Sequence, residues 1–372
     1  MEAISLVQRG NLKSLEQTLR KQWRMGQSIV LCWSADERGL LVIFVPHYYL
    51  GNYCASGSSD SEETQTNEAF IRDLISGQRR KSREQLFAVA QRLDVAPTFI
   101  RLSTPLSEEE NVVGAVEQLI KRYGLSYVDS RAVLLFDISE FSLYTPFEQA
   151  SQLNSLSYSL NSAYTKLLAQ GIDVNFARTT TGDGYYVWNR DLLADTNQGL
   201  FYFMLLVVAD NAVARAASRG NTVPVIRTAF HVGSHYELYQ AEGVNPTVFS
   251  YIVGQVTIEL ARIVDLARPH QILLGDFNCT VSEDEATPGE PLVATPDFVD
   301  DCNRGLTVIS GVPLSGKTIR SMACRLSESV LETGESIPNR LQIKDKHGLV
   351  RDAFNLCIDV DLDGELLRFG LQ

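Results

Sequence analysis

The chain has 372 residues, with 45 Asp and Glu against 33 Lys and Arg, for a formal net charge of −12. Hydrophobic residues make up 45% and charged residues 21%, which excludes a wholly disordered chain, a collagen and a coiled-coil rod. The acidic balance argues against a nucleic-acid polymer or an anionic membrane as partner, and an anionic substrate would need local cations or metal ions.

At about 150 residues per domain the length suggests two domains and a tail. The N-terminus lacks an apolar core of signal-peptide length. The longest strongly apolar run, 200–209, is half of the roughly 20 residues a spanning helix needs and reads as a buried helix. Six scattered cysteines and five scattered histidines make no zinc pattern, so reduced thiols in a cytoplasmic protein are expected.

Residues 1–129 open with a helix around 10–25. Strands follow at 28–33 and 40–45, then an acidic, Ser/Thr-rich loop over 55–68. Polar helices are predicted near 69–93 and 108–123. The basic run Arg79, Arg80, Lys81 and Arg83 reads as a solvated helix end. No catalytic cluster stands out, which leaves an N-terminal α/β domain of regulatory or unknown role.

From Arg131 the pattern sharpens. Residues 131–137 (RAVLLFD) form a buried strand ending in a carboxylate. Thr145, Pro146 and Glu148 supply an N-cap, an N1 proline and a capping-box acid for a helix running to about Gln170, which Gly171 terminates. Strands at 172–180 and 185–188 flank Thr181-Gly182-Asp183-Gly184, a tight hairpin turn. A long helix over 197–218, a strand over 223–233, a helix over 250–267 and a strand over 271–274 follow. Segments 306–310 and 320–325 are expected to close the domain as a hairpin. The order β-α-β-β-α-β is the split βαβ, ferredoxin-like arrangement, so the fold class is α+β. The domain spans 130–328, and 329–372 forms a short tail with strands near 353–358 and 366–370.

Asp137 ends the first strand of this domain, and Asp183 sits in the hairpin between the next two. In a split βαβ fold these strands are neighbours, which puts both carboxylates at one edge of the sheet. Such oxygen ligands suit Mg²⁺ or Mn²⁺, and two such ions can activate an attacking oxygen and neutralise a leaving phosphate.

These residues carry a resemblance. Phe136-Asp137-Ile138-Ser139-Glu140-Phe141-Ser142 and Thr181-Gly182-Asp183 look like the two metal motifs of class III nucleotidyl cyclases. Arg227-Thr228-Ala229-Phe230-His231-Val232-Gly233 is similar to the family's R-x-G-x-H-x-G strand, with Ala229 in place of a glycine. The segment from Tyr251 through Gly254 to Arg262 resembles the helix that carries transition-state residues. Together these cover about half the chain.

The resemblance implies that a ribose 3′-hydroxyl attacks the α-phosphorus of its own triphosphate. Asp137, the Ile138 carbonyl and Asp183 would hold two divalent ions, Mn²⁺ or Mg²⁺. Amides of Glu140 and Phe141, together with Arg227 and Lys317, would bind phosphate, and Arg262 would stabilise the reacting phosphate. The family asparagine is Ile258 here. The base-reading positions are Thr179 and Tyr251, neither of them the adenine nor the guanine code. A tyrosine narrows that pocket and favours a pyrimidine. This combination looks like the bacterial pyrimidine cyclases of the Pycsar antiphage system. The implied substrate is UTP or CTP, with UTP preferred as the commoner case. The implied assembly is a head-to-tail homodimer, and a separate cyclic-nucleotide-responsive effector reads the product. A purine cyclase with an altered pocket and a catalytically inactive nucleotide-binding relative are the alternatives.

Gly311-Val312-Pro313-Leu314-Ser315-Gly316-Lys317-Thr318 also fits GxxxxGK[ST]. Too few residues follow it for the rest of a P-loop domain, so a hairpin is expected there.

Overall fold

The structure is a computed structural model that describes residues 4–55, 62–191, 195–241, 248–279, 292–330, 336–344 and 348–370. In chain order the elements are α1 (Leu6–Trp23), β1 (Ser28–Asp36), β2 (Gly39–Pro46), α2 (Tyr49–Cys54), α3 (Glu62–Ile75), α4 (Arg83–Arg92), β3 (Thr98–Arg101), α5 (Glu110–Arg122) and β4 (Leu125–Ile138). Then come α6 (Pro146–Ala169), β5 (Phe176–Thr180), β6 (Gly184–Asn189), α7 (Asp195–Ala217), β7 (Ile226–Ala241), β8 (Val248–Val253) and α8 (Gln255–Leu266). The remainder is β9 (Ile272–Gly275), β10 (Asn278–Cys279), β11 (Val293–Ala294), α9 (Thr295–Gly305), β12 (Pro313–Leu314), β13 (Lys317–Leu326), β14 (Glu328–Val330), β15 (Ser336–Pro338), β16 (Arg340–Lys344), β17 (Val350–Leu362) and β18 (Glu365–Phe369).

The chain divides into two compact units. The first comprises Met1–Asp129 and His235–Val253, and the second Ser130–Ser234 and Gly254–Gln372.

In the first unit β1, β2 and β3 form an antiparallel sheet. Successive strand residues point to opposite faces, and helices cover both. Val30, Leu40 and Val42 pack with Leu15 and Leu19 of α1 and Val116 and Ile120 of α5. Leu31, Leu41 and Ile43 pack with Ile71 and Leu74 of α3 and Leu86 of α4. Burial on both faces explains why the strands read as unbroken apolar runs. Arg79, expected at a solvated helix end, is 1% exposed instead. Its guanidinium donates to the Leu31 carbonyl at 2.9 Å, to Ser126 Oγ at 3.2 Å and to the Leu125 carbonyl. These carbonyls compensate a buried charge that would otherwise be costly. The expected loop over 55–68 also differs: Glu62–Ile75 is helical, and residues 56–61 lie outside the described residues.

The second unit is built on a sheet in which β7-β4-β6-β5 are successive neighbours. In order of appearance these are the fourth, first, third and second strands, which is the split βαβ order. α6 links β4 to β5, and α7 links β6 to β7. β4 pairs antiparallel with β6, and β6 with β5. β9 lies parallel to β7, and β17 and then β13 extend the sheet beyond it. Leu134 and Phe136 of β4, Leu156 and Leu160 of α6, and Phe201 and Leu205 of α7 meet in one core. By length and composition α7 is apolar enough to cross a membrane, and 67% of its most apolar window is buried within this fold.

Three expectations change here. Leu306–Ile309 is a 3₁₀ helix rather than a strand, because Leu306 and Ile309, three residues apart, both turn into the core. The hairpin partner of β13 is the short β12. Residues 250–253 extend β8, which pairs with β7, and α8 begins only after Gly254 at φ 155°. Residues 329–372 are not an appendage: β17 is hydrogen-bonded on one side to β9 and on the other to β13 and β16. The β9–β17 pairing, such as Phe354 opposite Leu274, joins segments too distant in sequence to leave a local mark.

Candidate functional site

The site grows from the end of β4. Val133–Asp137 pair with Gly184–Trp188, so Asp137 lies opposite Gly184. The strands come very close there: a Cβ added at Gly184 would stand 1.9 Å from the Phe136 carbonyl oxygen. Only glycine permits this pairing. The Ile138 N–H donates to the Asp183 carbonyl at 2.9 Å, which brings the two expected metal positions to adjacent backbone. The turn between them is as the sequence predicts. Gly182 has φ 104°, the Thr181 N–H donates to the Gly184 carbonyl at 3.0 Å, and Thr181 Oγ1 donates to Asp183 Oδ1 at 3.2 Å.

Asp137 is buried, with 7% of its surface exposed. Arg227, at the start of the neighbouring β7, donates Nε–H to Asp137 Oδ2 at 2.8 Å and Nη2–H to the same oxygen. Its Nη1–H reaches the Ala267 carbonyl at the end of α8, at 3.5 Å. Burial pushes the Asp137 carboxyl above the ordinary range. Arg227 opposes this, and the charges of Asp183 and Asp265 add to it. Asp183 thus acts electrostatically on Asp137.

Ser139 donates its N–H to the Val225 carbonyl at 2.9 Å, and Glu140 adopts φ 58°, a left-handed conformation that turns the chain into the 3₁₀ turn Phe141–Leu143. Phe141 heads that turn, three residues after the end of β4 at Ile138. α6 then starts as predicted: Thr145 and Glu148 form a reciprocal capping box with Pro146 in the first turn.

Of the other expected residues, Arg262 is half-buried on α8, one turn before Asp265. Ile258 is 49% exposed on the same helix. Thr179 is half-buried on β5, opposite Tyr186 on β6. Tyr251 is half-buried on β8, opposite Leu238, in the first unit. Lys317 does not join the Asp137 cluster. It begins β13, four strand positions from β4, about 19 Å at roughly 4.8 Å per strand. There it pairs with Glu365 at 2.7 Å.

Two residues escaped sequence reasoning. Asp265 acts on both Asp137 and Tyr186. The Tyr186 hydroxyl donates to the Thr257 carbonyl at 3.0 Å, tying β6 to α8. The spacing of Asp265 three residues after Arg262, on one helical face, was the available signal.

Among the described residues no group of three or more His, Cys, Asp or Glu side chains forms a metal cage. The donor types nevertheless fit hard divalent cations: two carboxylates, Asp137 and Asp183, whose charges repel one another.

No protein-family model and no curated protein matches the chain. Solved structures do show similarity. The guanylate cyclase domain of RhGC from Catenaria anguillulae, in complex with GTP, is 12% identical over 62% of this chain and 97% of that one, with TM-score 0.37. The adenylyl cyclase CyaB from P. aeruginosa is 10% identical over 62% of this chain and 95% of that one, with TM-score 0.36. The non-canonical dimeric guanylyl cyclase domain of the RhoGC fusion protein from Blastocladiella emersonii is 12% identical over 62% of this chain and 97% of that one, also with TM-score 0.36. At these scores the likeness assigns no activity to this chain.

Proposed function

We propose that the chain is a nucleotidyl cyclase that converts a pyrimidine triphosphate, UTP in preference to CTP, to its 3′,5′-cyclic monophosphate and pyrophosphate. The observation that carries this reading is the convergence of Asp137 and Asp183 at adjacent strand ends, joined by the 2.9 Å bond from the Ile138 N–H to the Asp183 carbonyl. Arg227 stands beside Asp137 with its guanidinium.

In the reaction a bond forms between the ribose 3′-oxygen and the α-phosphorus. The bond from that phosphorus to the β-phosphate's bridging oxygen breaks, and the hydroxyl proton leaves to solvent. Asp137, Asp183 and the Ile138 carbonyl would hold divalent ions, Mg²⁺ or Mn²⁺, which when bound lower the pKa of the attacking hydroxyl and neutralise the leaving phosphates. Arg227 and the Phe141 amide would orient phosphate oxygens, and a guanidinium suits such bidentate contacts. Arg262 would stabilise charge on the reacting phosphate. Thr179 would meet the base, its hydroxyl supplying a single hydrogen bond, and Tyr251, which stands in the first unit, keeps its base-reading role on the resemblance alone. Lys317, paired with Glu365 in this chain, would bind phosphate on the strength of the resemblance alone.

The wider reading is a cytoplasmic head-to-tail homodimer that answers phage infection and whose product is read by a separate effector. Its support is the sequence resemblance. The exposed Ile258, where a polar contact is expected, favours a second reading: a binding protein without turnover.

The test is incubation with Mn²⁺ and each of ATP, GTP, CTP and UTP, with products resolved by mass. A cyclic pyrimidine monophosphate is expected. Dominant cyclic AMP or GMP would overturn the pyrimidine assignment, and no cyclic product would favour the second reading.

A further inference from the structure

We propose that Arg227 is a resident counter-ion of Asp137 that must be exchanged before a metal can bind, so that the site takes a metal–triphosphate chelate rather than a free ion. This rests on the cyclase reading and specifies the form of its substrate.

Two donors of one guanidinium, Nε–H and Nη2–H, converge on a single oxygen, Asp137 Oδ2. The pair is partly shielded: the Arg227 side chain is 23% exposed and the Asp137 side chain 10%. The third guanidinium nitrogen is anchored at the Ala267 carbonyl, at 3.5 Å. Arginine cannot lose its charge at any ordinary pH, so it cannot yield to a metal by deprotonation. A divalent cation on Asp137 would meet a fixed positive charge a few ångströms away in a poorly solvated place, where charges act more strongly than in water. Free metal therefore competes with Arg227 and is repelled by it.

A triphosphate reverses the balance. Its oxygens are bidentate acceptors for a guanidinium, so Arg227 gains a new partner as Asp137 loses it. The ion arriving with the phosphates replaces the lost positive charge. Metal and nucleotide binding are then positively coupled, and by linkage each strengthens the other. This would keep Asp137 from being occupied by free metal without substrate.

The experiment uses the full chain without nucleotide and follows Mn²⁺ binding through the loss of the free-ion electron paramagnetic resonance signal. Wild type, Arg227→Met, Arg227→Gln and Asp137→Asn are compared. Both Arg227 variants should bind Mn²⁺ about tenfold tighter than wild type, the scale of one lost charge-assisted contact. Asp137→Asn should bind weakest. Gln keeps a donor near Asp137 and carries the test should Met fail to fold, as judged by circular dichroism melting. Equal or weaker Mn²⁺ binding by a folded Arg227 variant would overturn the counter-ion role, even where wild type makes a cyclic product. Absence of Mn²⁺ binding in every variant, at concentrations that support turnover, would overturn it too. Absence of both binding and cyclic product would overturn the cyclase reading as well.

Discussion

Asp137 is held in a contest between burial and charge. Desolvation and the neighbouring Asp183 and Asp265 raise its pKa, while Arg227 lowers it. Deleting the whole carboxyl would strand a partly buried guanidinium, a loss of the class worth about 3–5 kcal/mol. Asp137→Asn keeps an acceptor for Arg227 and is the cleaner probe. Asp137→Asn and Asp183→Ala should each abolish cyclic-nucleotide formation while the circular dichroism spectrum stays native. Turnover by either variant would sink the metal assignment. His231, in the same strand as Arg227, tests the fold rather than the chemistry. Burial lowers its pKa from 6.5 to about 4, so it is neutral in the core at pH 7. The unfolded chain takes up the proton first as pH falls. Stability from this residue is therefore complete above about pH 6.5 and lost progressively down to about pH 4, on the order of 3 kcal/mol. His231→Leu should flatten the urea-midpoint profile across that window, and an unchanged profile would contradict the assignment.

At the element scale, the junction from β4 to α6 positions the site. The strand ends at Ile138, Glu140 turns in the left-handed region, and α6 starts behind the Thr145 capping box. Thr145→Ala should lower stability by about 1 kcal/mol, the usual cost of a lost N-cap, readable as a shift in the urea midpoint. Gly184→Ala should cost far more. Its new methyl would collide with backbone, the Phe136 carbonyl, which no rotamer change relieves. A loss at or beyond the upper end of the about 1–3 kcal/mol typical of overpacking is expected, together with loss of metal binding as Asp137 and Asp183 separate. A stable Gly184→Ala protein that still binds Mn²⁺ would mean that the close strand approach is dispensable.

For the whole molecule, the sheet of the second unit decides what can be removed. β17 is flanked by β9 and β13, and its Phe354, Leu356, Ile358 and Val360 belong to the same core as β4 and α7. Truncation after residue 328 should therefore destroy cooperative unfolding, not trim a tail. A soluble, sharply melting 1–328 fragment would refute the placement. The first unit also reaches beyond its sequence boundary. Residues 235–253 count with it, and Tyr236 packs against the cluster that contains Leu31 and Ile71. β7 thus contributes Arg227 to the second unit and Tyr236 to the first.

Local rules carried much of this fold. The α6 start, the TGDG turn, β1 and β2, and the order β4-α6-β5-β6-α7-β7 were legible because capping, turn chemistry and apolar runs act over a few residues. The carboxylates at two strand ends were legible for the same reason. What sequence could not supply was pairing across distance. The pairing of β17 with β9, the burial of Arg79 against carbonyls of β1 and β4, the contact of Lys317 with Glu365 and the seating of Arg227 on Asp137 all join residues 45 or more apart. The sequence alone settled most of the elements from Arg131 to about residue 233 and the residue types at the two strand ends. Tertiary structure alone decided which charges face one another, because a side chain's partner is set by sheet order and burial, and neither is written in its neighbours along the chain.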